Sequence, residues 1–393
     1  MKILAIETSC DETAIAIVDV KKNGTKTNFK ILGNDLASQV AIHTQYGGVF
    51  PMMAKREHSK NIIPIFVSAL KKAKIYKKVN KIKYSIELNN KIIDTLVREQ
   101  ELIKKWHKTM PYIAKPKIDA IAVTVGPGLE PALWVGINFA QALSLLWDIP
   151  IIPVNHMEGH IFSIFPNKTK TFTVDMNKKM FPVISLLVSG GHTEIVVMKD
   201  FMKYKIIGST RDDAVGEAFD KVARMLGLPY PGGPEISKLA RIERENDLPS
   251  TITLPRPMLH SKDYDFSFSG LKTSVLYFIR DLPKGKFDDN MKQKIAREFE
   301  DAAVDVLTAK TLRAVKFYKA KNLIVGGGVS ANTHLQKNLT KALQETDSKI
   351  NFPTKDLCTD NALMIAIAGY FQSKSKKIKN MNSKIIANGN LAL

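Results

Sequence analysis

Hydrophobic and polar positions alternate along this chain with two periods, that of a β-strand and that of an α-helix. An apolar stretch at 3–6, a polar turn and a second apolar stretch at 14–18 predict a strand, a turn and another strand. The same pattern returns at 183–188 and 193–198, around a turn that contains two glycines. A strand–turn–strand unit at two distant places predicts two similar α/β halves, with a ligand in the cleft between them.

Helical periodicity fills most of the remaining chain. Three short apolar runs predict further strands, at 118–125, 151–154 and 322–325. Helices are predicted at 51–70, 131–147, around His156 and His160, at 213–226, at 295–318 and from about residue 360 onward. We expect a first lobe at 1–155, a second at 156–358, and a C-terminal helix with a basic tail, 359–393, that returns to the first lobe.

Composition narrows the class of protein. The 393 residues are 45% hydrophobic without a long apolar run, and the N-terminus lacks the pattern of a signal peptide. Only Cys10 and Cys358 occur, which argues against a disulfide framework and favours a reducing compartment, the cytoplasm. We therefore expect a globular protein that does not bind membranes.

The net charge of +20 favours a polyanionic partner such as nucleic acid. Half of the excess falls in residues 71–117, which hold 14 Lys or Arg against 4 Asp or Glu. This segment is weakly periodic, so we expect a surface insertion, helical only around 91–106. Its charge and its aromatic residues Tyr76, Tyr84 and Trp106 suggest a basic arm for nucleic acid, although a Lys-rich solvated loop explains the charge equally well.

The pattern His156-Met157-Glu158-Gly159-His160 is the sharpest local signal. Histidines four apart share one helix face, about 5–6 Å apart, and can bind one metal ion. Glu158 points about 200° around the helix from His156, which places it poorly as the general base of a zinc peptidase. Gly159 inside a helix suggests close packing of another element against it.

Two histidines need at least one further ligand from elsewhere in the chain. Asp360 is a candidate and would link the two expected lobes through the ion. Its local sequence equally suits the N-cap of the last helix, so both roles remain open.

Three glycine-rich turns suit phosphate or nucleotide binding, because glycine lets a ligand approach the backbone closely. They are Ser189-Gly190-Gly191-His192, Gly232-Gly233 and Gly326-Gly327-Gly328. The chain has no Gly-x-x-x-x-Gly-Lys-Ser/Thr loop, which excludes an ordinary P-loop NTPase.

Two groups of carboxylates accompany these turns. Glu7, Asp11 and Glu12 lie on the first turn, where they can orient a substrate or accept a proton. Asp212, Asp213, Glu217 and Asp220 are predicted on one helix, opposite its apolar face, where a solvated face with a Glu217–Lys221 pair is the simpler explanation.

Taken together, these stretches resemble the TsaD family of tRNA threonylcarbamoyladenosine synthases. The matching stretches follow the family's order across nearly the whole chain: ETSCDET at 7–13, YGGVF at 46–50, KREHSKNI at 55–62, VTVGPGL at 123–129, NHMEGH at 155–160, LVSGGHTE at 187–194, DDAVGEAFDKVARMLGLPYPGGP at 212–234, FSFSGLKTS at 266–274, GGGVSAN at 326–332 and TDNALM at 359–364. The resemblance implies the fold shared by actin, sugar kinases and heat-shock ATPases, with two RNase H-like lobes.

The resemblance also implies a reaction, a metal and partners. Threonylcarbamoyl-AMP would donate its threonylcarbamoyl group to the adenosine next to the anticodon, in tRNAs that read codons beginning with A. One divalent ion is implied, Fe²⁺ in the first place with Zn²⁺ or Mg²⁺ as alternatives. Because the motifs resemble the bacterial and mitochondrial branch, TsaB-like and TsaE-like proteins or a homodimer are implied as well.

Residue roles follow by motif. The metal ligands implied are His156, His160 and Asp360, and the catalytic carboxylate is Asp11. Substrate contacts are implied for Leu187, Val188, Ser189, Gly190, Gly191, Asp220, Gly233 and Asn332.

Two features depart from the family's pattern, and other functions compete. The segment 71–117 is longer than usual, and Ser237 stands where many relatives have an acidic residue near the ribose.

The main alternative function is that of a metallopeptidase, but this chain lacks a suitably placed general base beside the histidine pair. Two cysteines do not build the zinc modules of hydrogenase-maturation carbamoyltransferases, and an ATP-dependent chaperone does not explain the histidine pair.

Overall fold

The computed structural model describes residues 1–167, 169–175, 177–246, 251–375 and 385–393. The chain divides into two compact units. Unit 1 comprises Met1–Ala41, Val49–Met176 and Thr359–Leu393, and unit 2 comprises Ile42–Gly48 and Asn177–Cys358. The helix that carries His156 therefore belongs to unit 1, and not to a second lobe that begins at residue 156.

Eleven strands form two sheets within the described residues. The strands are β1 (Lys2–Glu7), β2 (Glu12–Asn23), β3 (Lys26–Ser38), β4 (Ala120–Gly126), β5 (Ile151–Asn155), β6 (Thr171–Asp175), β7 (Val183–Val188), β8 (Thr193–Asp200), β9 (Lys203–Ser209), β10 (Asn322–Gly326) and β11 (Lys349–Asn351).

Twelve α-helices accompany them in the same residues. The helices are α1 (Val40–Thr44), α2 (Pro51–Lys72), α3 (Ile86–Leu96), α4 (Gln100–Thr109), α5 (Glu130–Trp147), α6 (His156–Phe162), α7 (Val215–Met225), α8 (Gly232–Glu245), α9 (Ser269–Asp281), α10 (Asp289–Tyr318), α11 (Thr333–Leu343) and α12 (Ala362–Ser375).

The two sheets share one topology. In unit 1 the order is β5-β4-β1-β2-β3-β6, with β1, β2 and β3 antiparallel and with β4 and β5 parallel to β1. In unit 2 the order β11-β10-β7-β8-β9 repeats this arrangement without a counterpart of β6. The predicted duplication is confirmed, and each sheet has the strand order expected of an RNase H-like lobe.

Central strands carry the core of each unit. Every residue of β4 and of β7 is buried, as expected for strands covered on both faces. Helix α12 returns to unit 1 and is buried from Ala362 to Tyr370, against β1, β2, β4 and β5. A Cβ on Gly369 would lie 2.7 Å from the Cβ of Ala122, so glycine is what lets this helix lie so close to β4.

The expected surface insertion, 71–117, is only partly at the surface. Helices α3 and α4 bury Ile92, Leu96, Leu102 and Trp106 in the core of unit 1, where Trp106 is 2% exposed. The α3–α4 connection is also tied to α2, because Glu99 accepts a hydrogen bond from Ser59 Oγ at 3.0 Å. The prediction of a surface segment is wrong for these helices, because scattered lysines masked their apolar faces.

No helix in the described parts of the chain is both long enough and apolar enough to span a membrane.

Candidate metal centre and nucleotide-binding turns

The two histidines are placed by the end of a strand and the start of a helix. Strand β5 ends at Asn155, whose side chain accepts hydrogen bonds from Met157 N at 2.9 Å and Glu158 N at 3.2 Å. This N-cap starts α6 at His156. His156 and His160 then share one face of α6, with ring centroids 4.6 Å apart, and are 6% and 0% exposed.

Asp360 brings a carboxylate to this pair from the C-terminal part of unit 1. Its Oδ1 lies 3.3 Å from His156 Nε2 and 3.2 Å from His160 Nε2. The cap of the last helix is supplied by the next residue, because Asn361 Oδ1 accepts from Met364 N at 3.0 Å. Since all three residues lie in unit 1, Asp360 does not link two lobes as the sequence suggested.

Close packing of α12 against α6 brings Asp360 to the two histidines. A Cβ on Gly159 would lie 3.0 Å from atoms of Met364 and Ile365, so α12 lies directly against the glycine of α6. The prediction that Gly159 permits close packing is confirmed.

The donor set suits a divalent metal ion. One ligand atom from each of His156, His160 and Asp360 lies within 4.8 Å of the other two. Within the described residues, the buried Nε2 of His160 faces the Asp360 carboxylate at 3.2 Å, and its Nδ1 is buried without a hydrogen-bond partner. A buried imidazole with so few partners is unfavourable unless a metal uses a lone pair of the ring. Two imidazoles and one carboxylate match the ligands of a metal site that keeps a position open for substrate.

Electrostatics differ between the two histidines. Burial opposes protonation of His156, but the carboxylates of Asp360 and Glu7 raise its pKa well above the usual value. Burial lowers the pKa of His160. Burial alone would raise the pKa of Asp360, but the charge of His156 holds it well below its usual range. While no metal ion is bound, these pKa shifts favour an anionic Asp360 between a protonated His156 and a neutral His160.

Glu7 and Ser9 lie beside His156. Glu7 Oε2 is 3.1 Å from His156 Nδ1, and Ser9 Oγ is 3.2 Å from the same atom. Ser9 Oγ also donates to Asp360 Oδ2 at 3.4 Å. The sequence named Glu7 only as one of three carboxylates near the first turn, and it assigned no role to Ser9 beyond its place in the ETSCDET stretch.

His58 holds the acidic turn that carries Asp11. Its ring nitrogens lie 2.8 Å from Thr13 Oγ1 and 2.9 Å from the carbonyl oxygen of Cys10, so they bracket the turn. Asp11 and Glu12 are each 8% exposed. Burial and the neighbouring Asp11 carboxylate raise the pKa of Glu12 well above its usual value.

In unit 2, the turn between β7 and β8 presents open glycines. Ser189 N donates to the carbonyl oxygen of His192 at 2.8 Å, which closes the turn. A Cβ on Gly190 or Gly191 would meet no atom within 4 Å, so the tip has room for a ligand. Leu187 and Val188 end β7 as buried core residues.

The glycines that shape this turn lie elsewhere in the chain. A Cβ on Gly216 would lie 2.5 Å from the carbonyl oxygen of Ser189. Gly327 has φ +89°, and a Cβ there would clash with the carbonyl oxygen of Val188. The Gly326-Gly327-Gly328 stretch thus supports the neighbouring turn, in addition to its place at the end of β10.

Of the remaining predicted contact residues, Gly233 and Asn332 lie at the starts of α8 and α11, and Asp220 lies within α7. Asp220 Oδ1 accepts from Gly232 N at 2.7 Å, which fixes the start of α8, and a Cβ on Gly233 would meet nothing within 4 Å. Asn332 caps α11, since its Oδ1 accepts from Leu335 N at 2.9 Å.

Ser237 belongs to the same network as Asn332. Its hydroxyl donates to Glu300 Oε1 at 2.6 Å, and Asn332 Nδ2 donates to that oxygen at 2.7 Å. Arg244 pairs with the other oxygen of Glu300 at 2.6 Å. Although position 237 is not acidic, the fully buried Glu300 thus supplies a carboxylate directly beside it.

The second predicted carboxylate cluster does not form one solvated helix face. Asp212 and Asp213 precede α7. Asp212 instead accepts from Phe268 N and Ser269 N, at 2.8 and 3.1 Å, at the start of α9. The predicted Glu217–Lys221 pair is confirmed at 2.8 Å.

Comparison with known proteins decides the family. The family model described as TsaD, tRNA N6-adenosine threonylcarbamoyltransferase, matches residues 30–86 and 101–367. The chain belongs to this family. Between the two matched ranges, residues 87–100 are not matched, and they lie inside the segment that the sequence marks as longer than usual.

Relatives named tRNA N6-adenosine threonylcarbamoyltransferase agree over nearly full length. The protein of Persephonella marina is 42% identical over 377 residues, 95% of this chain and 91% of that protein. That of Staphylococcus haemolyticus is 41% identical over 98% of this chain and 94% of that protein, and that of Burkholderia cenocepacia is 41% identical over 94% and 91%.

Proposed function

We propose that this protein transfers the threonylcarbamoyl group of threonylcarbamoyl-AMP to the exocyclic amine of an adenosine in tRNA. The target is the adenosine adjacent to the anticodon, in tRNAs that read codons starting with A. The observation that carries the proposal is the full-length similarity of 41–42% to proteins named for this modification. The anticodon loop offers an unstacked base, which a protein can reach without melting a duplex.

A divalent ion would be held by His156, His160 and Asp360. Fe²⁺ is the first candidate, with Zn²⁺ or Mg²⁺ as alternatives. Such an ion supplies Lewis-acid polarisation of the acyl-adenylate when it is bound. The support is the convergence of two buried histidines and the partly buried Asp360 carboxylate, whose ligand atoms lie within 4.8 Å of one another.

The nucleotide part of the substrate would bind to unit 2. The turn Leu187–Gly191 gives it an open backbone approach at Gly190 and Gly191. Gly233 and Asn332 stand at the starts of α8 and α11, where backbone N–H groups favour anions, and Asp220 of α7 fixes the start of α8 through Gly232 N. The Glu300 carboxylate beside Ser237 fixes the Asn332 amide.

Asp11 would act as the catalytic carboxylate. The adenosine amine attacks the carbonyl carbon of the threonylcarbamoyl group, the bond from that carbon to the phosphate oxygen breaks, and AMP leaves. The proton lost by the amine passes to the Asp11 carboxylate. His58 holds the backbone of this turn on both sides of Asp11.

Partners of this reaction are tRNA and, we infer, either TsaB-like and TsaE-like proteins or a second copy of this chain. Nucleoside mass spectrometry of tRNA incubated with this protein, threonylcarbamoyl-AMP and candidate partners tests the proposal. N6-threonylcarbamoyladenosine is expected, and its formation is lost with Asp11→Asn. Unmodified tRNA with every partner set, together with cleavage of a protein substrate that requires His156, would favour the metallopeptidase instead.

A further inference from the structure

Glu7, Thr124 and His156 are aligned by the register of three parallel strands. Ile6 of β1 pairs with Val123 of β4, so Glu7, the last residue of β1, lies beside Thr124, two residues before the end of β4. Strand β5 follows β4 in the sheet and leads directly into His156. Consecutive strands lie about 4.8 Å apart, so polar side chains at these three ends meet.

One buried carboxylate joins these groups to the acidic turn. Glu7 is fully buried, and its Oε2 accepts from Thr124 Oγ1 at 2.6 Å and from His156 Nδ1 at 3.1 Å. Its Oε1 accepts from the backbone nitrogen of Ser9 at 2.5 Å. A buried carboxylate is stable only with such donors, and here each oxygen serves a different part of the site.

We propose that Glu7 is a positioning residue that fixes the ring of His156 with one carboxylate oxygen and the Ser9–Glu12 turn with the other. With its Nδ1–H donated to Glu7, His156 directs the lone pair of Nε2 toward His160 and Asp360. In metal sites such an outer partner sets the tautomer and the orientation of a histidine ring. The inference rests on the proposed role of His156 as a ligand.

The same carboxylate sets the distance between the proposed ligands and Asp11. Ser9 is two residues before Asp11, and its nitrogen is held by the group that holds His156. Thr124 in turn fixes the carboxylate, because its hydroxyl donates to the oxygen that His156 uses. A side chain with a single acceptor oxygen cannot satisfy both sides.

Glu7→Gln tests this directly. If the amide oxygen faces Ser9, the amide NH₂ faces His156 Nδ1, and the ring must present Nε2–H toward the ion. If the oxygen faces His156, the NH₂ opposes Ser9 N–H and displaces the turn. We expect a loss of affinity for Zn²⁺ and Co²⁺ of about 10- to 100-fold, or a comparable loss of kcat at full metal occupancy.

A matched pair at Thr124 provides a second test with little change of shape. Thr124→Val removes the hydroxyl that fixes Glu7, and a several-fold loss of metal affinity is expected. Thr124→Ser keeps the hydroxyl and should bind metal as the wild-type protein does. Affinity is measured by competition with a chromophoric chelator, and circular dichroism and thermal melts verify folding.

The outcomes separate this inference from the proposed function. Wild-type metal affinity and wild-type kcat in Glu7→Gln would overturn the positioning role, as would equal affinity in Thr124→Val and Thr124→Ser. If Glu7→Gln fails to fold, the Thr124 pair still decides. A wild-type protein that binds neither ion would overturn the inference, while tRNA modification by that protein would leave the proposed reaction standing.

Discussion

Gly216 N donates a hydrogen bond to the carbonyl oxygen of Ser189 at 3.2 Å, and a Cβ on Gly216 would lie 2.5 Å from that same oxygen. The first turn of α7 is therefore in direct contact with the backbone of the open β7–β8 turn. Gly216 itself need not touch a ligand to control this turn.

Gly216→Ala is accordingly expected to weaken nucleotide binding. Overpacking of this kind costs about 1–3 kcal/mol, and a shift of the Ser189–Gly191 backbone lowers affinity roughly tenfold or more. Gly270→Ala is the control, because a Cβ there meets nothing within 4 Å. Calorimetric titration with a nonhydrolysable acyl-adenylate measures both, and equal affinity of the two variants would contradict the assignment.

Removing any one ligand of the proposed metal centre should empty it while the fold persists. We expect His156→Ala, His160→Ala and Asp360→Ala each to lose bound metal and activity, because two remaining donors are too few. His107→Ala is the control, since His107 is an exposed histidine of the same unit. Elemental analysis decides: full metal occupancy in a His156/His160 double variant would refute the site.

The hydroxyl of Thr13 is expected to matter through His58. Thr13→Val removes the Thr13 hydroxyl, which lies 2.8 Å from the buried His58 Nδ1, and loosens the turn that carries Asp11. An unsatisfied buried nitrogen costs about 1–3 kcal/mol of stability, and a tenfold fall in kcat/KM is expected. Thr13→Ser keeps the hydroxyl and should recover activity. Urea unfolding and steady-state kinetics measure the two effects, and equal kinetics of both variants would remove His58 from the site.

Local patterns predicted those parts of the fold that depend on neighbouring residues. The strand–turn–strand units, the helix with both histidines and the tight packing at Gly159 all follow from short-range periodicity or spacing. The choice between metal ligand and helix cap for Asp360 did not, because the local sequence allows both roles and only the packing of α12 on α6 brings Asp360 to the histidines. Asp212 was misassigned for a similar reason, since the helix start it binds lies far along the chain.

The burial of α3 and α4, within the segment 71–117, was also not predicted from the local sequence. The apolar residues of α3 and α4 are separated by polar and charged residues in a segment rich in lysine, which suggested a surface position, yet Trp106 packs against Phe139 with ring centroids 6.1 Å apart. Glu7 shows the same limit: the sequence placed it on the first turn with Asp11 and Glu12, whereas it is the fully buried last residue of β1.

Trp106→Ala is expected to destabilise the protein by about 3–5 kcal/mol, as large-to-small changes at buried aromatic residues do. For the same reason, deletion of the whole segment 71–117 would remove core and cannot serve as a test of nucleic-acid binding. Chemical denaturation measures the change. Stability within about 0.5 kcal/mol of wild type would mean that the segment does not contribute to the core of unit 1.

The basic-arm hypothesis therefore narrows to the loop between α2 and α3. Tyr76 stacks with Lys71, whose Nζ is 5.4 Å from the ring centroid, and Tyr84 OH donates to the carbonyl oxygen of Met110 at 3.3 Å. Both rings are engaged within the chain, and Trp106 is buried. Exposed lysines of this loop remain available to a polyanion, among them Lys77, Lys78, Lys81 and Lys83.

Replacing these four lysines by glutamine should weaken tRNA binding and flatten its dependence on salt. Each lost phosphate contact lowers the slope of log K against log salt by about 0.7–0.9, whereas base specificity is unaffected. A matched variant with the same change of charge replaces four exposed lysines of unit 2, Lys316, Lys319, Lys321 and Lys349. Threonylcarbamoyl-AMP binding should be unchanged in both. Equal tRNA affinity and equal salt slope in the two variants would show that the loop lysines act only through net charge, and wild-type values in both would make the loop a solvated surface without a role in tRNA binding.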